Sequence, residues 1–220
     1  MTYNIAEKFL SINGEGRKAG QPAVFIRFKG CNLNCSYCDT QWANAGDCPV
    51  QTMSAEEILE YIRSSGINNV TLTGGEPLIQ QDIWLLIEML CKNGFSVEIE
   101  TNGSVDISMF KNIKGALSFT LDYKLPSSGM EGFMNLNNYG CLTENDTVKF
   151  VCGSILDLET AKIIIEKYSL DKKCAVYLSP VFGKIEPKEI VGYMLKHKMN
   201  GVNFQLQLHK FIWPADMRGV

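Results

Sequence analysis

The sequence predicts an α/β domain of parallel strands joined by helical crossovers, and three observations carry that expectation. Short runs rich in β-branched and aromatic residues alternate with amphipathic helical stretches from residue 23 onward. Capping and stop signals separate them, as with Ser54 and Glu57 before a helix and Gly66 or Gly94 after one. Polar, glycine-containing segments fall just beyond the strands, where parallel sheets bind their ligands. Right-handed crossovers between about six such strands make an open or partial barrel, short of the eight that close one.

Taken in order, Ala23–Phe28 reads as the first strand. Ser54 and Glu57 form a capping box, and Ile58, Leu59 and Ile62 give the following helix one apolar face. Val70–Thr73 is the next strand, Asp82–Asn93 a helix, and Phe95–Glu100 a third strand. Ala116–Asp122, Thr147–Val151 and Ala175–Ser179 read as further strands, with helices at Leu158–Tyr168 and Lys188–His197. A last strand, Val202–Leu208, precedes an irregular tail over residues 209–220.

A chain of 220 residues with 45% hydrophobic content can bury one sizeable core, so a single domain over 1–220 is expected. A net charge of −3 with scattered basic residues gives no electrostatic reason to expect nucleic acid or an anionic membrane as partner. No run is long and apolar enough to span a bilayer, and Glu7 and Lys8 interrupt any secretory signal at the start. Eight cysteines without an export signal suit reduced thiols in the cytoplasm better than disulfides. Cys48, Cys91, Cys141, Cys152 and Cys174 share no spacing and read as structural.

The loop over residues 30–40 is different, because Cys31, Cys35 and Cys38 stand at C-x3-C-x2-C spacing directly after a strand. Three thiolates leave one iron of a four-iron cubane open to a ligand that is not protein. A structural zinc site is the competing reading, with Cys48 as the fourth ligand. Zinc sites more often use paired C-x2-C units, and here there is one. One strand later stands Thr73-Gly74-Gly75-Glu76-Pro77, whose paired glycines let backbone approach a ligand that a Cβ would repel. Further rim segments are Glu100-Thr-Asn-Gly103, Asp122-Tyr123-Lys124 and Ser179-Pro180. Arg27, in a strand, offers a planar fork matched to a carboxylate.

Together the cysteine triplet and the glycine pair resemble the radical S-adenosylmethionine enzymes. The resemblance implies a reduced radical SAM fold, a partial (β/α)6-type barrel, with a [4Fe–4S] cluster on Cys31, Cys35 and Cys38. It implies S-adenosylmethionine chelating the open iron, its methionyl amine received at Gly74, Gly75 and Glu76 and its adenine lying against Tyr37. Phe9-Leu-Ser-Ile-Asn-Gly-Glu-Gly16 is similar to the S-I-Q-G-E-G signature of the 7-carboxy-7-deazaguanine synthase family, with Asn13 where glutamine is usual. Arg27, Asp39-Thr40, Pro126-Ser-Ser-Gly129 and Gln205-Leu-Gln-Leu-His-Lys210 extend that likeness along nearly the whole chain.

That family contracts 6-carboxy-5,6,7,8-tetrahydropterin to 7-carboxy-7-deazaguanine with loss of ammonia, on the way to queuosine and related deazapurines. The resemblance implies a homodimer and a one-electron donor such as flavodoxin or ferredoxin. It places Mg2+ on Thr40, and the pterin against Ile12, Asn13, Gly14, Glu15, Arg27, Thr73 and His209. Asp122, Tyr123 and Lys124 would serve the ribose and carboxylate of S-adenosylmethionine, and Ser179 its adenine side. The family often carries Ser-Pro-Lys where this chain has Asp122-Tyr123-Lys124, which keeps the lysine alone. The alternatives are an activase that installs a glycyl radical on a large partner enzyme, and a zinc-stabilised binding module.

Overall fold

The structure is a computed structural model describing all residues 1–220. Nine strands form one open sheet: β1 (Thr2–Ile12), β2 (Pro22–Phe28), β3 (Gln51–Ser54), β4 (Asn69–Gly74), β5 (Ser96–Thr101), β6 (Leu117–Tyr123), β7 (Thr147–Cys152), β8 (Ala175–Pro180) and β9 (Asn203–Phe204). Their order is β3-β1-β2-β4-β5-β6-β7-β8-β9. From β2 through β4 to β9 every pairing is parallel, as expected; β1 pairs antiparallel with both β2 and β3.

The helices form where the capping chemistry places them. In α1 (Ala55–Ser65) Ser54 Oγ accepts from Glu57 N at 3.2 Å, and the Glu57 carboxylate accepts from Ser54 N at 2.7 Å. Gly66 ends it in the left-handed region. In α2 (Ile83–Lys92) Leu86, Ile87 and Leu90 are wholly buried, and truncating one to alanine would cost about 2–5 kcal/mol. α3 (Ile155–Tyr168) starts on the Ser154 hydroxyl, and α4 (Pro187–Lys196) has proline in its first turn.

Strand register sorts the residues onto two faces. Val24, Ile26, Val70, Leu72, Val97, Ile99, Leu121, Val148, Phe150, Val176 and Leu178 are buried in one core. The alternate positions are mostly polar, Phe25 and Val151 being apolar exceptions: Arg27 is registered with Thr73, Thr71 with Glu98, Glu100 with Thr120, and Asp122 with Lys149. Because side chains of registered partners emerge on the same side, one face of the parallel sheet is an oil-filled layer and the other a polar wall.

Two strands escape sequence reading. In β1 the register shifts between Ile5 and Glu7, and a bulge of this kind breaks the two-residue alternation that would reveal a strand. β3 has four residues, too few to show a period. The expected final strand over 202–208 shrinks to Asn203–Phe204, because the next side chains leave the ladder for the amino-terminal loop. Gln205 accepts from Gly16 N at 2.7 Å and donates to Gly16 O at 3.3 Å.

Candidate active site

The polar wall, the carboxyl-end loops and the tail enclose one cleft of about 760 Å³. Its lining includes Cys31, Cys35, Tyr37, Cys38, Thr40, Gly74 and Gly75 on one side. Ile12, Gly14, Glu15, Arg27, Thr73, Asp122, Lys124 and His209 complete the expected residues that reach it. Residues 215–220 of the tail wall it as well, and the Arg218 guanidinium lies 4.1 Å from the centroid of the Trp42 ring.

The cysteine loop leaves β2 and is fixed at several points. Ser36 N donates to Ser128 O at 3.0 Å, and Ser36 Oγ to Ser127 O at 2.6 Å. Cys31 Sγ accepts from Leu33 N at 3.4 Å and from Asn102 Nδ2 at 3.6 Å. Burial pushes the Cys31 and Cys35 thiols up in pKa, with Lys124 opposing at Cys35; metal binding would have to drive off those protons. No three thiol, imidazole or carboxylate side chains converge on a single point. Zinc at about 2.3 Å from each sulfur would need them to, whereas a cubane takes each thiolate on a different iron. Cys48 is buried elsewhere and donates to Pro49 O at 3.4 Å, so it does not complete a zinc tetrad. The three cleft thiols, with donors already aimed at one sulfur, fit a [4Fe–4S] cluster.

The glycine pair is shaped by crowding beneath it. Gly74 has φ +148°, and a Cβ there would overlap the Phe28 backbone; one on Gly75 would run into Gly30 O and Asn44 Oδ1. Asn44 Oδ1 is buried, lacks a partner and borders the cleft, an acceptor suited to an ammonium group. Glu76 differs from expectation, because its side chain points away from the cleft. It accepts from Leu78 N at 3.0 Å, Thr101 Oγ1 at 2.8 Å and Asn102 N at 2.7 Å. Burial raises its pKa despite those donors.

At the other end, Arg27 Nε donates to Glu7 Oε1 at 2.7 Å. That fixes the guanidinium by its inner nitrogen and leaves its terminal fork for a ligand. Thr73 Oγ1 donates to Glu100 Oε2 at 2.8 Å. Thr40 Oγ1 lies 3.6 Å from Cys38 Sγ. His209 packs so tightly on the amino-terminal loop that a Cβ at Gly14 would sit 2.7 Å from its Nδ1. Burial lowers the His209 pKa, with Glu15 opposing, so its imidazole is neutral at neutral pH.

Lys149 joins two carboxylates, with Nζ 3.1 Å from Glu15 Oε2 and 3.8 Å from Asp122 Oδ2. Asp122 Oδ2 also meets Lys124 Nζ at 2.9 Å. Burial pushes the Glu15 pKa up, but Lys149 and Gln207 more than offset it and hold the carboxylate below its ordinary range. Burial likewise works against the Lys149 charge, and Glu15 and Asp122 outweigh it.

Three more expected contacts lie off the cleft. Asn13 is buried and accepts from Thr71 Oγ1 at 2.8 Å; one methylene shorter than glutamine, it turns inward. Ser179 is buried behind Glu15, to which it donates at 3.2 Å. Tyr123 lies in the core against Phe150, its hydroxyl on Glu131 at 3.0 Å. Conversely, Glu7 and Lys149 line the cleft without having been anticipated, as do Glu100 and Gln207, which the sequence placed in a rim segment and in the carboxyl-terminal likeness without assigning either a role. Lys149 had a signal: a lone cation in the middle of the apolar run Thr147-Val-Lys-Phe-Val-Cys152.

Comparison with known proteins agrees with this geometry. The radical SAM superfamily model matches residues 25–125. The chain is 53% identical to the 7-carboxy-7-deazaguanine synthase of Clostridium acetobutylicum, over 100% of both chains. It is 37% identical to that of Chlorobaculum tepidum, over 99% of this chain and 97% of the other. Its fold matches the crystal structure of QueE from Escherichia coli with a TM-score of 0.75 and 26% identity, covering 94% of each chain. Streptococcus suis SuiB bound to S-adenosylmethionine shares the fold alone, with a TM-score of 0.54 and 15% identity, over 83% of this chain and 48% of that one.

Proposed function

The chain belongs to the 7-carboxy-7-deazaguanine synthase family of radical SAM enzymes, and from that membership we propose how its own residues carry the reaction. The activity is radical-mediated ring contraction of 6-carboxy-5,6,7,8-tetrahydropterin to 7-carboxy-7-deazaguanine with release of ammonia. Full-length identity of 53% to a curated synthase carries this reading, and it is why a glycyl-radical activase is not favoured.

Membership brings a [4Fe–4S] cluster and S-adenosylmethionine as cofactors, which when bound would supply one-electron chemistry for abstracting a hydrogen atom from the pterin. Cys31, Cys35 and Cys38 would hold the cluster. Gly74, Gly75 and Asn44 Oδ1 would receive the methionyl amine, and the unpartnered Asp122 Oδ1 would accept from the ribose. Tyr37 donates its hydroxyl to Val151 O at 3.2 Å, which holds the ring at the cleft for an adenine. Arg27 would pair its fork with the substrate carboxylate, and Glu15 would accept from the amino-pyrimidine edge. The neutral His209 can both accept from and donate to the ring.

Mg2+ would sit at Thr40 and take its remaining ligands from substrate and water, which suits an ion that dehydrates reluctantly in a cleft with few converging protein ligands. A homodimer belongs to the same reading, supported by exposed Ile155, Leu156, Ile163 and Leu195 on α3 and α4, apolar surface that a second copy would cover. So does an electron donor such as flavodoxin or ferredoxin. Eight free cysteines suit the reducing cytoplasm, and no helix is long and apolar enough to cross a membrane.

The test is anaerobic incubation of iron-reconstituted protein with dithionite, S-adenosylmethionine, Mg2+ and the pterin, products followed by mass. The expected result is 7-carboxy-7-deazaguanine. Arg27→Ala should abolish its formation while 5′-deoxyadenosine remains detectable; equal loss of both overturns the role assigned to Arg27.

A further inference from the structure

Lys149 stands on β7 with its side chain 12% exposed, in a strand whose other residues are all buried. Two carboxylates from separate parts of the chain share it. Asp122 is its registered neighbour across the β6–β7 ladder, so that pair is fixed by the sheet. Glu15 comes from the loop after β1, 134 positions away, and its carboxylate is held there by Lys149, Gln207 and Ser179.

The oxygens of both carboxylates are divided in the same way. Asp122 Oδ2 takes Lys124 and Lys149, while its Oδ1 is buried and unpartnered. Glu15 Oε2 takes Lys149 and Gln207, while its Oε1 takes the Ser179 hydroxyl alone. Lys149 thus binds one oxygen of each carboxylate and leaves the other less committed. Lys124 pairs with Asp122 and makes no bond to Glu15, so it cannot do the same.

We propose that Lys149 is a positioning residue that couples the two ligand sites, holding Glu15 toward the pterin and Asp122 toward S-adenosylmethionine so that a change at one carboxylate is felt at the other. The inference rests on the roles given to Glu15 and Asp122 above. Removing the Glu15 charge lets Lys149 turn wholly to Asp122, which draws Asp122 away from its ligand. The converse holds for Asp122, and by linkage each ligand should change the other's affinity by the same factor.

The test measures S-adenosylmethionine affinity of the reconstituted protein by anaerobic equilibrium dialysis, with no turnover required. Glu15→Gln should weaken that affinity about five-fold or more, although Glu15 is assigned to the other ligand. In a Lys149→Met background the same substitution should change it less than about two-fold, and Lys149→Arg should restore the larger effect. An equal effect of Glu15→Gln in both backgrounds, or none in the first, overturns the proposal. Should Lys149→Met fail to melt cooperatively, the double-mutant cycle between Glu15→Gln and Asp122→Asn in the native background decides: additive losses overturn the coupling, and non-additive losses support it. Absence of 7-carboxy-7-deazaguanine from the native enzyme would instead overturn the assigned substrate and leave these affinities to be read on their own.

Discussion

The Gly74–Pro77 loop and the Ile12–Gly16 loop each carry one motif glutamate to the neighbourhood of the cleft, and the protein treats the two carboxylates in opposite ways. Glu76 is sealed under its loop, fully buried, with two backbone N–H groups and one hydroxyl on its oxygens. No cation pairs with it, and burial raises its pKa. Glu15 faces the cleft against Lys149, and its pKa is lowered. A carboxylate caged by backbone donors shapes a loop; one held by side chains from three other segments can answer a ligand.

The largest test of this contrast falls on the caged loop. Gly75→Ala puts a Cβ into Gly30 O, and relief requires moving the base of the cysteine loop. A loss of about 3 kcal/mol in denaturant unfolding is expected, together with loss of S-adenosylmethionine cleavage. A variant that melts like the parent would show that the glycine serves ligand approach alone.

Next in size is the exchange of each glutamate for glutamine. Glu76→Gln turns an NH2 toward donors that now lack an acceptor, costing about 2 kcal/mol. Glu15→Gln should spare the melting temperature more and instead raise the KM for the pterin about ten-fold, equivalent to about 1.4 kcal/mol. The pH profiles should differ in sign. The folded pKa of Glu15 is lowered, so its contribution is present above the unfolded value of about 4.3 and is lost as pH falls through the folded value. That of Glu76 is raised, so stability declines as pH rises from about 4.3 through the folded value. Melting curves across acid pH should therefore lose a rising limb in Glu15→Gln and a falling limb in Glu76→Gln. The same limb lost in both variants would erase the distinction.

The smallest effect is expected from Gln207→Ala, which removes one of three donors to Glu15. Lys149 and Ser179 remain, so the pterin KM should rise about three-fold with kcat unchanged; a fall in kcat alone would assign Gln207 to another task.

The parallel strands, the capping of α1 and the cysteine and glycine motifs were legible because each depends on local spacing. β1 was not, since a bulge hides its alternation, nor was β3, which exists through its pairing with β1. In the site, Arg27, Thr73 and the thiols were found by motif, but motif position does not give side-chain direction. Asn13 turns toward Thr71, and Ser179 stands behind Glu15 rather than at the cleft. Lys149 lies in no motif and Gln207, although inside the Gln205–Lys210 segment, was assigned no role there; the importance of both comes from meeting Glu15 across 134 and 192 positions.

That span has a consequence for synthesis. The thiols and the glycine pair leave the ribosome early, while Gln205, Gln207 and the tail residues 215–220 that wall one side of the cleft follow well after them. The cysteine loop can therefore settle on Asn102, Ser127 and Ser128 before the tail that walls the far side of the cleft has been made.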